Sequence, residues 1–516
     1  MKRRWFDLSD LGFVYGVLCT LSLVLINPWG RPRGEIWTDP KVYVVIALAL
    51  LTWGVLLAQL VRFVVRRLGH GRPRLSPPPA WGWAALLWGA YLGFGLLSVY
   101  YSPVRADNAL MPNNEMGDGW VYWAYVAAFV LGNALLLKRF PQLFKLQLYG
   151  FLAAGLVTGL AVALQTIDWR LDFTATMGKV GYNTDAIKLL YSNIYKGQMP
   201  IGLTSHRGHA GFIVAAIAVL ALVCLARGWV AKRYGWLLYL LLLVSVYLTS
   251  TRGAQAAFAA GMLYLLIRFW RTKQARRTVL LAFVPFVVGG AGLLGAAALG
   301  APNVTRSLPS IAMLSTNPGA FTSFRLDYWR IAADGVRERP LLGWGYDGFG
   351  LAFPYVNDFE KKFKQKLAPR KGPIAAGEPK VFEVDQLRGT DHYYFRYLST
   401  DGKAHLGGVL SNKAHNLILD LWVSLGLGGL VTYLLLLGLF IGVTARGEGW
   451  GLEAVAVVYL VYTLTWFESA QFSHLTWWAL SAGLAMQRLP QAVVVRTPFN
   501  RRFDTPNNTP NQPSRN

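Results

Sequence analysis

Cysteine is nearly missing from this chain: Cys19 and Cys224 are the only two among 516 residues, and both fall inside apolar runs. That excludes a disulfide framework and a cysteine-based metal cluster. Charge is scarce as well, at 15% of residues against 54% hydrophobic, with a mean hydropathy of +0.35. A chain this apolar is excluded from the ordinary class of single soluble domains. Acids number 26 against 51 Lys and Arg, giving a net charge of +25. No basic stripe with interleaved aromatics lies on a soluble segment, so nucleic acid is not an expected partner.

What is present is length in apolar runs. Crossing the hydrocarbon of a bilayer takes about 17 to 25 apolar residues. Runs of this kind occur near 11–27, 42–61, 80–100, 119–137, 147–165, 209–226, 235–250, 255–270, 278–299, 416–445, 451–466 and 472–487. The expectation is an all-α polytopic membrane protein of about twelve spans. Spans one to nine would fill 1–299 and spans ten to twelve 415–489, with a large connection at 300–414 and a polar tail at 490–516. The N-terminal Met-Lys-Arg-Arg-Trp precedes a long run without a small-residue cleavage site, which reads as a retained first span.

Basic loops stay in the cytoplasm. With the N-terminus inside, the segments Lys2 to Arg4, Arg62 to Arg74, Lys138 to Lys145, Arg227 to Arg233, Arg268 to Arg277, Arg446 and the tail all become cytoplasmic. Both termini are then cytoplasmic and the 300–414 connection is external. A loop of that length is usually functional. Within it, Phe324 to Arg339 has helical spacing at Leu326, Trp329, Ala333 and Val336, with Arg330 and Asp334 at i,i+4, and stops at Pro340. Leu341 to Gly350 is a glycine-punctuated turn, 351–412 an insertion, and Lys380-Val-Phe-Glu-Val and His392-Tyr-Tyr-Phe-Arg-Tyr are candidate short strands inside it. The tail has too few apolar residues to fold.

Ionisable residues at the lip of a membrane span are costly and each begins as a functional candidate. Four places qualify: Ser205-His206-Arg207-Gly208-His209, Ser250-Thr251-Arg252-Gly253, Arg325, and His415-Asn416. All four fall on the external side of the expected topology. Guanidinium groups bind phosphate oxygens bidentately and stay charged, and a histidine can take a proton near neutrality. Together they suit a reaction with a pyrophosphate leaving group and a hydroxyl nucleophile. The plainer alternatives are a headgroup anchor for Arg252, an ion pair for Arg325, hydrogen bonding within the fold for His206 or His209, and a helix-capping neighbourhood for His415. His392, His405 and His474 show no partner by spacing. For a metal, Glu35 and Asp39 in the first external loop are the only pair to watch, and Asp39-Pro40 reads as a turn.

The ordered set Gly202 to Phe212, Leu248 to Ala254, Arg325-Leu-Asp-Tyr-Trp-Arg with Arg339 to Phe349, and His415-Asn-x9-Gly-x-x-Gly429 resembles the O-antigen ligase and polymerase superfamily of bacterial membrane glycosyltransferases, O-antigen ligases most closely. The resemblance covers roughly residues 200 to 430. It implies a GT-C-like helical architecture in the inner membrane and metal-independent transfer, without a cofactor, of a glycan from undecaprenyl pyrophosphate on the periplasmic face. It implies His415 as the catalytic residue, Arg252, Arg325 and Arg207 as pyrophosphate ligands, and Asn416 and His209 as supporting residues. Ala256 stands where the ligase pattern usually has leucine, and the segment from Phe349 to His415 is longer than in that pattern. Lipid A-core, a growing polysaccharide and a protein all remain open as acceptors. A transporter is the rival from another class; it predicts charges in mid-helix and broken helices in two matched halves.

Overall fold

The computed structural model describes residues 8–30, 34–67, 77–103, 117–166, 200–299, 322, 325–356, 380–386, 393–398, 404–409 and 412–488. A helix stands at each of the twelve positions that the apolar runs indicate. They are α1 (Leu8–Val24), α2 (Asp39–Arg67, led in by a π-turn at Gly34–Thr38), α3 (Trp81–Tyr100), α4 (Trp120–Arg139), α5 (Gln142–Thr166) and α6 (Arg207–Arg227). They continue as α7 (Lys232–Leu248), α8 (Arg252–Arg268) and α9 (Lys273–Ala298), with α10 (Arg325–Glu338) and the short α11 (Gly348–Ala352) in the long connection. The last three are α12 (Leu417–Arg446), α13 (Glu453–Thr463) and α14 (Ser473–Ala485). Seven of these, α2 to α6, α9 and α12, are long and apolar enough to cross a membrane. Asp39 opens α2 rather than a metal site, and among the described residues no cluster has the makings of one.

α6 is the hub. From Gly208 to Leu225 every residue is buried, and the helix packs against α7, α8, α13 and α5. Its apolar surface all round suits an inner helix, and its run of Ala and Gly lets neighbouring backbones come close. It closes on Gly228 at φ 68°, where Gly228 N donates to Leu225 O and Trp229 N to Cys224 O. Around it α1 lies on α5, α2 on α4, α3 on α12, α8 on α13 and α14 on α4.

The body of the chain is helical as expected, and the strands lie where the insertion was expected to hold them, in the long connection. Three strands, β1 (Lys380–Gln386), β2 (Tyr393–Leu398) and β3 (Ala404–Gly408), form an antiparallel sheet in the order β1-β2-β3. Lys380 faces Leu398 and Tyr397 faces His405, with a bulge between Val381 and Glu383. Two of the strands coincide with the aromatic and β-branched runs flagged above; β3, with two glycines in five residues, carried no such signal. His392, the middle of the insertion and the tail from 489 on lie outside the described residues. In α10 the buried face is Ile331, Ala332, Gly335 and Val336, one step round from the predicted stripe, and Asp334 pairs with Arg337 at 2.8 Å instead of Arg330.

Candidate active site

Each of the four motifs starts a helix. Arg207 is the first residue of α6, Arg252 of α8 and Arg325 of α10, while His415-Asn416 immediately precedes α12. Helix starts present unpaired N–H groups and the positive end of the macrodipole. The starts lie together. His206, which caps α6 by accepting from Gly208 N at 2.9 Å, stacks on the Trp466 ring at 4.9 Å. The Arg325 guanidinium lies over the same indole at 5.5 Å, and the His415 ring meets it edge-on at 5.0 Å. Thr251, just before Arg252, donates to the carbonyl of Arg207 at 3.3 Å.

The electrostatics follow from that convergence. Burial lowers the Arg325 pKa, and the positive charges of Arg252 and Arg207 lower it further. Among the described residues neither Arg207 nor Arg325 has a carboxylate within ion-pair distance. Among the described residues the Arg325 side chain makes one hydrogen bond, a long one, 3.4 Å to Thr322 O. A cluster of cations with so little acid about it is poised for an anionic ligand.

His415 takes φ 56°, a left-handed conformation uncommon outside glycine. Its ring is sandwiched by Tyr328, stacked at 5.4 Å, with Phe467 edge-on at 4.8 Å. Nδ1 lies 3.2 Å from Lys413 O. A carbonyl only accepts, so the proton sits on Nδ1 and Nε2 keeps its lone pair. Burial, followed by the Arg325 charge, pushes its pKa down to about 4. The imidazole is therefore neutral at ordinary pH and can act as a base through Nε2.

Asn416 is the cap of α12: Oδ1 accepts from Leu419 N at 3.2 Å and Nδ2 donates to Leu464 O at 3.1 Å. The capping neighbourhood weighed as a plain alternative for His415 is thus real, but Asn416 fills it. His209 is fully buried one layer beneath, against Phe467 and Phe472, with Nδ1 3.4 Å from Ser205 Oγ. Ser205 is held in turn by Gln471, whose Nε2 donates to it at 2.8 Å and to Thr38 Oγ1 at 2.9 Å. His474 likewise packs inside, Nε2 3.0 Å from Ser22 Oγ.

The glycines of the last motif serve the backbone. Gly426, inside α12, has φ 69° and ψ −173°, which kinks the helix. A Cβ there would sit 2.1 Å from Leu341 O, and one on Gly343 2.4 Å from Ser424 O. Across this contact Trp344 N donates to Val423 O at 2.9 Å, Gly345 N to Ser424 O at 2.9 Å and Leu427 N to Pro340 O at 2.8 Å. The glycine-rich turn after α10 is thereby laced to α12 ten residues beyond His415.

Beside that contact lies an ion cluster that spacing did not reveal. Lys413 Nζ is 2.7 Å from Asp118 and 2.8 Å from Asp347, all three buried. Burial alone would lower the Lys413 pKa; the two carboxylates outweigh it and hold the ammonium above its ordinary range. Asp420 accepts from Ala414 N at 2.7 Å, so the stretch leading to His415 is fixed by a side chain and by its backbone. Glu468, pushed up to about 8 by burial, closes the cluster and accepts from the Tyr433 hydroxyl. The signal available for Lys413 was a lone lysine two residues before the candidate base; for Trp466 there was none.

Comparison with known families matches residues 237–374 to the model described as O-antigen ligase, Wzy_C. The matched stretch, just over a quarter of the chain, is similar to the O-antigen ligase family. The match to the O-antigen ligase model runs from α7 through α11 and includes Arg252 and Arg325, while Arg207 and His415 lie on either side of it. No curated protein matches the chain.

Proposed function

We propose that the protein is an O-antigen ligase-like, inverting glycosyltransferase that uses an undecaprenyl-pyrophosphate-linked glycan at the periplasmic face of the inner membrane. The observation that carries this reading is the gathering of three helix-opening arginines, Arg252 and Arg207 acting on Arg325 and Arg325 on a neutral histidine whose Nε2 bears the lone pair. An acceptor sugar hydroxyl attacks the anomeric carbon from the side opposite the leaving group. The new C–O bond forms as the bond from that carbon to the pyrophosphate oxygen breaks, and Nε2 of His415 takes the hydroxyl proton. Arg325, Arg252 and Arg207 hold the pyrophosphate and stabilise the charge that grows on its departing oxygen. Arginines in that position do the work a divalent cation does elsewhere, so the transfer is metal-independent. Lipid A-core is the acceptor favoured by the His-Asn-x9-Gly-x-x-Gly spacing.

The test is transfer of a labelled undecaprenyl-pyrophosphate glycan to lipid A-core by purified protein, with EDTA present and His415→Ala alongside. Transfer at the wild-type rate by the variant would remove His415 from the role of base. A ladder of lengthening lipid-linked chains, in place of one block added to the core, would make the protein a polymerase; a glycosylated protein acceptor would make it an O-oligosaccharyltransferase.

A further inference from the structure

The end of the bundle opposite His415 holds a cavity of ≈ 980 Å³ between the end of α8, the turn into α9 and the end of α12. Arg252 opens α8 at the active site and Arg268 ends it here. At 1.5 Å per residue the 17-residue helix spans roughly 25 Å, a little under the ~30 Å hydrocarbon core. On the topology expected from the basic loops the cavity sits at the opposite headgroup level.

Its cations divide into two sets. Arg268 is occupied: its Nε pairs with the buried Glu453 at 3.1 Å and its terminal nitrogen donates to Ala445 O. Arg227, outside the lining, is occupied too, donating to Glu448 O at 2.8 Å over the Trp450 ring. Arg271 and Arg446 line the cavity, are exposed, and have no carboxylate at ion-pair distance among the described residues. Glu448 is the single acid in the lining, so the cavity carries a net positive charge. Trp270, 57% exposed, stands at the mouth. Below it, Leu263 and Ile267, one helical turn apart on α8, are 54% and 67% exposed. An unpaired arginine pair therefore opens onto an apolar strip leading into the membrane. Free phosphate has no use for that strip; a lipid does.

We propose that this cavity binds an anionic phospholipid, with Arg271 and Arg446 on the headgroup phosphate and one acyl chain along Ile267 and Leu263. The site is independent of the transfer reaction. The test is native mass spectrometry of the full chain in detergent, titrated with phosphatidylglycerol or phosphatidylcholine, for the wild type and for Arg271→Gln/Arg446→Gln. Two arginine contacts predict a preference of about thirtyfold for phosphatidylglycerol, lost in the double glutamine variant and largely kept when both positions are lysine. A large excess of inorganic phosphate should not displace the bound lipid. Equal retention of the two lipids, an unchanged preference in the glutamine variant, or full displacement by phosphate would each overturn the assignment, the last by making this a free-phosphate site.

Discussion

Replacing Lys413 by Met removes the one cation from a buried cluster and leaves Asp118 and Asp347 facing each other without their shared partner at 2.7 and 2.8 Å. Breaking a buried ion pair from one side costs about 3–5 kcal/mol, because the surviving charge has neither water nor partner. Burial raises the Asp118 pKa and the Lys413 charge opposes the rise, so without the lysine Asp118 relieves that cost by taking up a proton. The sign follows: the deficit is complete at pH above the raised folded value of Asp118 and shrinks as pH falls and that carboxylate protonates. Lys413→Met should therefore be much less heat-stable than wild type at pH 8, and the gap should narrow at pH 5. Lys413→Met with Asp118→Asn and Asp347→Asn, a neutral set of similar volume, should recover most of the loss. The single variant should also lose turnover more than donor affinity, since the Lys413 side chain anchors the backbone whose carbonyl orients the His415 ring while the arginines are untouched. Thermal unfolding by intrinsic fluorescence at the two pH values, with transfer kinetics beside it, decides the matter. A single variant as stable as wild type at pH 8, or a triple variant no better than the single, refutes the assignment of this cluster.

The pH profile of transfer should stay flat through neutrality and fall with a half-point near about 4, not near 6.5, since protonation of His415 removes the base. Arg325→Gln should move that half-point upward and raise the donor KM, because the charge that disfavours the imidazolium is gone. Gly426→Ala should abolish transfer while leaving helix content by circular dichroism near wild type, because its Cβ would overlap Leu341 O; full activity would refute the role given to that contact. Asn416→Ala should cost about 1 kcal/mol of stability as a lost helix cap, whereas Asn416→Asp should largely keep it, both measured by thermal unfolding.

Apolar length made the helical body legible: a twenty-residue run has few other fates, and a helix stands at every one of the twelve runs. The arginines and His415 were legible because charge at the lip of a span is expensive and hence rarely idle. Lys413 was not, because a lysine in an external loop is ordinary until the fold brings Asp118 from before α4 and Asp347 from after α10 against it. The same holds for Trp466, whose contacts with His206, Arg325 and His415 all come from segments distant in sequence. Gly426 and Gly343 were visible as letters of a motif, yet their reason, two backbones crossing with no room for a Cβ, exists only in three dimensions.

The placement of the three arginines runs against the interest of their own helices. A cation in the first turn faces the positive end of the macrodipole and costs roughly 0.3–1 kcal/mol per helix where it is exposed to solvent, and here α6, α8 and α10 each begin with one. Gathering those starts adds mutual repulsion, felt at Arg325 from both Arg252 and Arg207. Stability alone would favour Asp or Glu at these positions. A local choice that conflicts with the fold at three places, all felt at Arg325 beside His415, is the signature of a site whose free energy is recovered on binding a ligand. The ligand that recovers most is a multiply charged anion, which meets the guanidinium groups and the helix N–H groups at once. A diphosphate fits that requirement better than a sugar hydroxyl or a carboxylate does. For that reason the proposed reaction gives the pyrophosphate end of the donor to the arginines and the acceptor hydroxyl to His415.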